Sequence, residues 1–182
     1  MVRTATLMML AVALMLIIAA PAAAKEGLYL GANMLFNDIS GGINSPEWVN
    51  SGKGLWLRGG FGLNRYLSFE AGLWETKHDL KNGGPSAALK AGTLDLKVNF
   101  PIKESHIEPY LLVGYGSYTI EQNGFSEDGK GSRFGIGMDI YLFPKLSFTI
   151  GWTRNNVTFT HAGQDIDGKI TSTDYGITYH FM

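Results

Sequence analysis

Four histidines, His78, His106, His161 and His180, are the residues of this 182-residue chain best suited to proton transfer near neutral pH. A histidine becomes a hydrolytic base when a serine or carboxylate sits beside it. None of the four begins a His-x-Ser pair, because Leu80, Glu108, Gly163 and Met182 occupy the second position. The run Asp165-x-Asp167-Gly168 resembles the opening of a calcium loop, but a complete loop needs further oxygens and a later Glu, so it reads as polar surface. Gly114-x-Gly116 and Gly135-x-Gly137 lie in period-two segments and lead into no helix, which makes them glycines on a strand face rather than phosphate cradles. Asn156-Val-Thr158 matches a glycosylation triplet, which is irrelevant if the host is a bacterium. These residues predict no catalytic site, no metal site and no cofactor.

The elements that would carry such groups begin with the N-terminus. Arg3, an apolar stretch from Leu7 to Ala20 and the run Pro21-Ala22-Ala23-Ala24 have the form of a cleavable secretion signal. The stretch is shorter than the roughly 20 residues of a spanning helix. Cleavage after Ala24 is expected, which divides the chain into a signal peptide, 1–24, and a single domain, 25–182. The formal net charge is −1, and loss of Arg3 lowers it by one more unit, so no global field attracts nucleic acid or anionic lipid. Cysteine is absent, so an exported domain must hold together without disulfides.

After Lys25 the chain alternates at period two between turn residues. Apolar rows are Leu28, Leu30, Ala32, Met34 and Phe36; Leu55, Leu57, Phe61 and Leu63; Leu67, Phe69, Ala71 and Leu73; and Leu94, Leu96, Val98 and Phe100. They continue with Leu111, Val113 and Tyr115; Phe134, Ile136, Met138, Ile140 and Leu142; Leu146, Phe148, Ile150 and Trp152; and Tyr175, Ile177, Tyr179 and Phe181. Eight strands of about ten residues, each long enough to cross a bilayer when tilted, predict an all-β, closed, antiparallel up-and-down barrel.

The opposite rows decide which solvent each face meets. They combine glycines 31, 60, 62, 72, 92, 114, 116, 135, 137, 151 and 176 with charges of both signs. Glycine weakens a water-facing strand, but a lumen barely wide enough for side chains needs it next to large polar residues. Arg58, Glu70, Asp95, Lys97, Arg133, Asp139 and Asp174 are therefore expected as a salt-bridged lumen network, with the apolar rows toward lipid. A three-residue turn Leu63-Asn64-Arg65 would place Arg58 directly opposite Glu70.

Connections alternate in length, as they do when both termini face the periplasm. Long ones are expected over Asn37–Lys53, near Lys81–Pro85, over Gln122–Gly131 and over His161–Lys169; shorter ones at Asn64-Arg65, over Pro101–Glu108 and at Pro144. Aromatics collect at the strand ends: Tyr66, Phe100, Tyr110, Phe143, Phe148 and Phe181 on the periplasmic side, and Phe36, Phe134, Trp152 and Tyr175 on the other. Two interfacial girdles are implied.

Gly27-Leu-Tyr-Leu-Gly31, Pro109-Tyr-Leu-Leu-Val-Gly-Tyr-Gly116 and the closing Tyr175-Gly-Ile-Thr-Tyr-His-Phe181 give the chain its resemblance to the small outer-membrane barrel family of OmpX, the OmpA transmembrane domain and the opacity-type surface proteins. That resemblance implies a bacterial outer-membrane location in contact with lipid and lipopolysaccharide. It also implies a terminal signal, Tyr175, Ile177, Tyr179 and Phe181, read by the barrel-assembly machinery, with Met182 as a departure from an aromatic end. Its fold hosts many tasks. The leading expectation is a non-enzymatic barrel whose surface loops contact host or matrix ligands or support envelope integrity. The alternative is an OmpW-like narrow channel for small solutes or apolar compounds. A lipid A-modifying enzyme and a soluble lipocalin-like barrel with inverted faces fit less well.

Overall fold

In the computed structural model residues 26–41, 51–79, 86–102, 105–122, 124–161 and 164–181 are described. Eight strands follow in order: β1 Gly27–Gly41, β2 Ser51–Asn64, β3 Leu67–His78, β4 Ala87–Asn99, β5 Ile107–Gln122, β6 Phe125–Phe143, β7 Leu146–His161 and β8 Gln164–His180. Each pairs antiparallel with its chain neighbours, and β1 pairs β8, so the sheet closes on itself and leaves no edge. Where the strand termini meet, the Phe181 amide donates to the Leu28 carbonyl at 2.8 Å. The expected signal segment, 1–24, lies outside the described residues.

Alternation sets the orientation of every strand. Leu57, Leu73, Leu94, Val113, Ile136 and Ile177 point outward and are exposed, whereas Arg58, Glu70, Asp95, Lys97, Arg133, Asp139 and Asp174 are buried in the lumen. Leu67, beside a turn, is buried although it shares the outward row of Phe69. Lipid in place of water around the outward rows removes the cost of those exposed apolar side chains.

Four expectations are corrected. The strands are longer than ten residues, reaching 19 in β6, because Asn37–Gly41, Ser51–Lys53, Phe125–Gly131 and Gln164–Lys169 are ladder rather than loop. Cross-strand bonds from Thr119 to Asp128, Thr158 to Asp167 and Thr160 to Asp165, at 2.7, 2.8 and 3.0 Å, tie these polar extensions together. Gly92 faces outward, in the row of Leu94, and an added Cβ there would touch the outward side chain of Leu73. Tyr110 turns into the lumen instead of joining the periplasmic girdle, since it alternates with the outward Leu111.

The fourth correction concerns the β2–β3 turn. Asn64 Oδ1 accepts from the amides of Tyr66 and Leu67 at 2.8 and 2.9 Å, which closes the turn at Arg65-Tyr66. Leu63 is then left as a bulge, and the register pairs Arg58 with Gly72 and Glu70 with Gly60. Arg58 is not directly opposite Glu70. Both still point inward, because the offset is two residues.

Toward the ends of the strands opposite the chain termini the hydrophobic pattern changes sides. On β1 Met34 and Phe36 point outward, but Leu35 and Ile39 are buried inside while Asp38 and Ser40 face out. The same exchange brings Leu89, Tyr118, Ile120, Val157, Phe159 and Ile170 inward on the other strands, with Lys90, Thr119, Asn156, Thr158 and Lys169 outside. Below the exchange the barrel is solvated by lipid, and above it by water. The structure thus marks a membrane boundary at the end opposite the chain termini, and the strands continue beyond it around an apolar core.

Candidate functional site

The lumen is filled in two tiers. In the lower one Arg58 is the hub: one guanidinium nitrogen lies 3.2 Å from Glu70, the other 3.9 Å from Asp139. That second nitrogen also donates to the hydroxyls of Thr149 and Thr178 at 2.8 and 2.7 Å. Lys97 Nζ reaches Asp139 Oδ2 at 2.6 Å and sits 4.1 Å from the Tyr110 ring centroid. Arg133 Nε lies 3.0 Å from Asp95 Oδ1. Asp174 accepts from Asn33 at 2.5 Å. Tyr29 donates its hydroxyl to Glu70 at 3.0 Å. Six of the seven sequence-selected charges thus form direct ion pairs in two groups, Arg58/Glu70/Asp139/Lys97 and Arg133/Asp95, while Asp174 is held by an amide. Acid and base must be matched in this way because an unpaired charge in a low-dielectric lumen costs several kcal/mol, on the order of the whole stability margin.

Glycines give the tier its room. An added Cβ at Gly60 would fall within 2.1 Å of the Tyr29 ring, and one at Gly137 within 2.4 Å of the Tyr110 ring. The aromatic rings lie flat across the neighbouring glycines.

The upper tier is largely apolar, with Asn37, Thr76, His78 and Asn155 hydrogen-bonded among its side chains. Trp56, Trp74, Tyr118, Leu89, Phe159 and Ile170 pack with Leu35, Ile39 and Val157, all at most 5 % exposed. Trp56 joins the tiers, with the guanidinium carbons of Arg58 and Arg133 5.4 and 5.1 Å from its ring centroid. Reading the sequence as one polar lumen misses this tier, because Ile39 falls in an expected loop and the other members stand on the inward side or at the ends of the period-two segments, where glycines and charges set the expectation. The exchange of apolar parity within a segment, such as Leu35-Phe36-Asn37-Asp38-Ile39, was the available signal.

The histidines are dispersed. His78 is buried at the upper end of β3, 3.2 Å from Thr76 Oγ1, and His106 is exposed in the β4–β5 connection. His161 ends β7, and its side chain lies outside the described residues. His180 is buried between Tyr29 and Tyr141, with Ser147 Oγ 3.4 Å from its Nε2. A serine beside an imidazole is half of a nucleophile–base pair, but Ser147 has no exposed surface to offer a substrate. Among the described residues no three of His, Cys, Asp and Glu gather to hold a metal ion. Asp165 and Asp167 instead accept hydrogen bonds from Thr160 and Thr158 across the β7–β8 hairpin. Tyr175, Ile177, Tyr179 and Phe181 line the outside of β8 and the residue after it, all between 43 % and 54 % exposed.

Comparisons with solved structures agree with this architecture. Neisserial surface protein A is 16 % identical, covering 85 % of this chain and 97 % of that one, with a TM-score of 0.69. The outer membrane protein OprG of Pseudomonas aeruginosa is 15 % identical, with 87 % and 98 % covered and a TM-score of 0.59. Ail, the attachment invasion locus protein of Yersinia pestis, in its complex with the heparin analogue sucrose octasulfate, is 14 % identical, with 86 % and 99 % covered and a TM-score of 0.59. Such identities establish a shared fold. No curated protein sequence matches the chain. The family model described as the outer membrane protein beta-barrel domain, however, matches residues 9–181, so that a closed eight-stranded barrel with an apolar exterior belongs to that family and resides in the outer membrane.

Proposed function

We propose that this barrel is a non-enzymatic surface protein whose extracellular hairpins contact ligands outside the cell, with the lumen serving as a brace rather than a conduit. One observation carries this reading: above the membrane boundary the strands continue around their own apolar core, Trp74, Tyr118, Phe159 and Ile170 among it. Folding apolar side chains into a raised, water-solvated extension stiffens a platform for loops, and binding residues concentrate on loops held by a rigid scaffold. The two packed tiers weigh against a narrow channel. Ail, solved in complex with a heparin analogue, shares this fold; host or matrix polysaccharides are therefore the partners to test first. A role in envelope integrity fits the same architecture. The outward row Tyr175, Ile177, Tyr179 and Phe181 is the surface that the barrel-assembly machinery would engage.

The test is adhesion of cells displaying the barrel to immobilised heparin and matrix proteins. A variant with the connection between Gly41 and Ser51 replaced by a short Gly-Ser turn, and similar replacements at the other three hairpin tips, should lose binding while the barrel keeps its heat-modifiable gel mobility. Adhesion that persisted with all four tips replaced would overturn the reading.

A further inference from the structure

On the outward wall of β3 the apolar row ends in an acid. Glu75 follows Leu73 in that row, stands level with Leu55 on β2, and is exposed. An acid at the edge of the hydrocarbon repels lipid phosphate and costs free energy unless a cation meets it. Lys90 faces it directly across the β3–β4 ladder, yet Lys90 Nζ is held on the other side, 2.6 Å from Glu121 on β5, and Glu75 forms no ion pair among the described residues. Lys77 comes next in the row of Glu75 and is exposed too. From β3 to β5 this layer therefore sets two acids, Glu75 and Glu121, beside two bases, Lys77 and Lys90. It carries both signs and no net charge.

Below that layer the same face is uneven. Leu73 and Leu94 are each 70 % exposed, more than any other large apolar side chain among the described residues. Their ladder partners are small: Gly92 lies opposite Leu73 and Ala71 opposite Leu94, and Ser117 stands beyond Gly92 on β5. A hollow of about 840 Å³ opens around Leu73, walled by Gly92, Ser117 and Thr119 on one side and by Leu55 and Leu57 on the other. A protruding side chain thus stands next to a recess, under a layer of mixed charge.

We propose that this face binds a second copy of the barrel, about a two-fold axis parallel to the membrane normal that passes between β3 and β4. Such an axis exchanges the two strands, so that what one presents the other must accept. Glu75 meets the partner's Lys90, and Lys77 reaches toward the partner's Glu121. Underneath, the Leu73 side chains of both copies share the room that Gly92 and Ser117 leave. Strands about 4.8 Å apart and tilted about 40° displace facing positions by about 3 Å in height, a gap that lysine and glutamate side chains span. The mixed charge favours this occupant over a lipid headgroup. A phosphate drawn to Lys77 or Lys90 is repelled by Glu75 beside them, whereas a second copy brings an acid for each base.

The chain has no cysteine, so one introduced thiol reports contact between copies without background. In the full barrel, dilute in phosphatidylcholine vesicles, oxidation of Gly92→Cys should link most of the protein into dimers. Ile150→Cys, exposed on β7 away from this face, should link about tenfold less. Energy transfer between labelled barrels gives the second readout. Glu75→Lys and Lys90→Glu should each weaken association about tenfold, and mixing the two variants should restore it, because each then supplies the charge that the other lacks. Neither chain regains its own pairing in the mixture, so only contact between copies produces that rescue. Gly92→Phe fills the recess and keeps every charge; it should also weaken association, and it stands in if a charge variant loses its heat-modifiable gel mobility. Equal linking at Ile150→Cys, no recovery in the mixture, or a monomer at every protein-to-lipid ratio would each overturn the proposal.

Discussion

Arg58 on β2 and Glu70 on β3 stand two ladder positions apart, yet their charged groups meet at 3.2 Å inside the barrel. On β2 the residue that does face Glu70 is Gly60, and its missing side chain is where the Tyr29 ring lies before donating its hydroxyl to the same carboxylate. A diagonal ion pair, a glycine and a tyrosine from the next strand thus form one unit.

Removing one member of that unit strands the other. Glu70→Gln leaves the Arg58 guanidinium with Asp139 3.9 Å away as its nearest carboxylate, and the expected loss is about 3 kcal/mol in urea unfolding from lipid vesicles. Arg58→Met/Glu70→Met removes both charges while Lys97 continues to neutralise Asp139, and should recover at least half of that loss. A double variant no more stable than Glu70→Gln would mean the pair is not the element that matters.

Gly60 and Gly92 sit on opposite faces and should respond differently. Gly60→Ala drives a methyl into the Tyr29 ring and is expected to cost about 1–3 kcal/mol. Gly92→Ala meets only the Leu73 side chain at 3.5 Å and should stay within about 0.5 kcal/mol of the parent. The same unfolding assay ranks them, and equal effects would contradict the orientations.

The membrane boundary at the end opposite the chain termini can be located by charge. Leu94→Arg, in a row facing hydrocarbon, should destabilise by about 2–4 kcal/mol, whereas Thr158→Arg, outward but above the exchange of apolar sides, should cost less than about 1 kcal/mol. A comparable penalty at Thr158 would place lipid higher than the pattern does.

Conductance tests whether the upper tier seals the lumen. Glu70→Ala loosens the ion-paired tier but leaves Trp56, Trp74 and Phe159 packed above it, so planar bilayers should remain silent. Trp56→Ala/Phe159→Ala removes two of those plugs, costs about 3–5 kcal/mol at each position, and should be the variant in which conductance steps appear. Steps in Glu70→Ala alone would assign the seal to the salt bridges.

Strand number, the outward rows and the burial of the seven lumen charges follow from period-two alternation, which needs no partner strand to be read. Leu28 to Phe36 and Phe134 to Leu142 carry their orientation in their own sequence because lipid and lumen make opposite demands on alternate residues. The register did not follow in that way. Asn64 could cap a turn of either length, and only the closed ladder, with Leu63 bulged, decides that Glu70 faces Gly60. Nor did the ends of the strands. Asn37 to Gly41 and Gln164 to Lys169 are polar enough for loops, and they become strand because neighbouring ladders supply their backbone partners while Ile39 and Ile170 find an apolar interior assembled from six other strands. A residue's alternation tells it which side to face; whether that side is ion-paired, dry or open depends on what seven other strands bring to the same height.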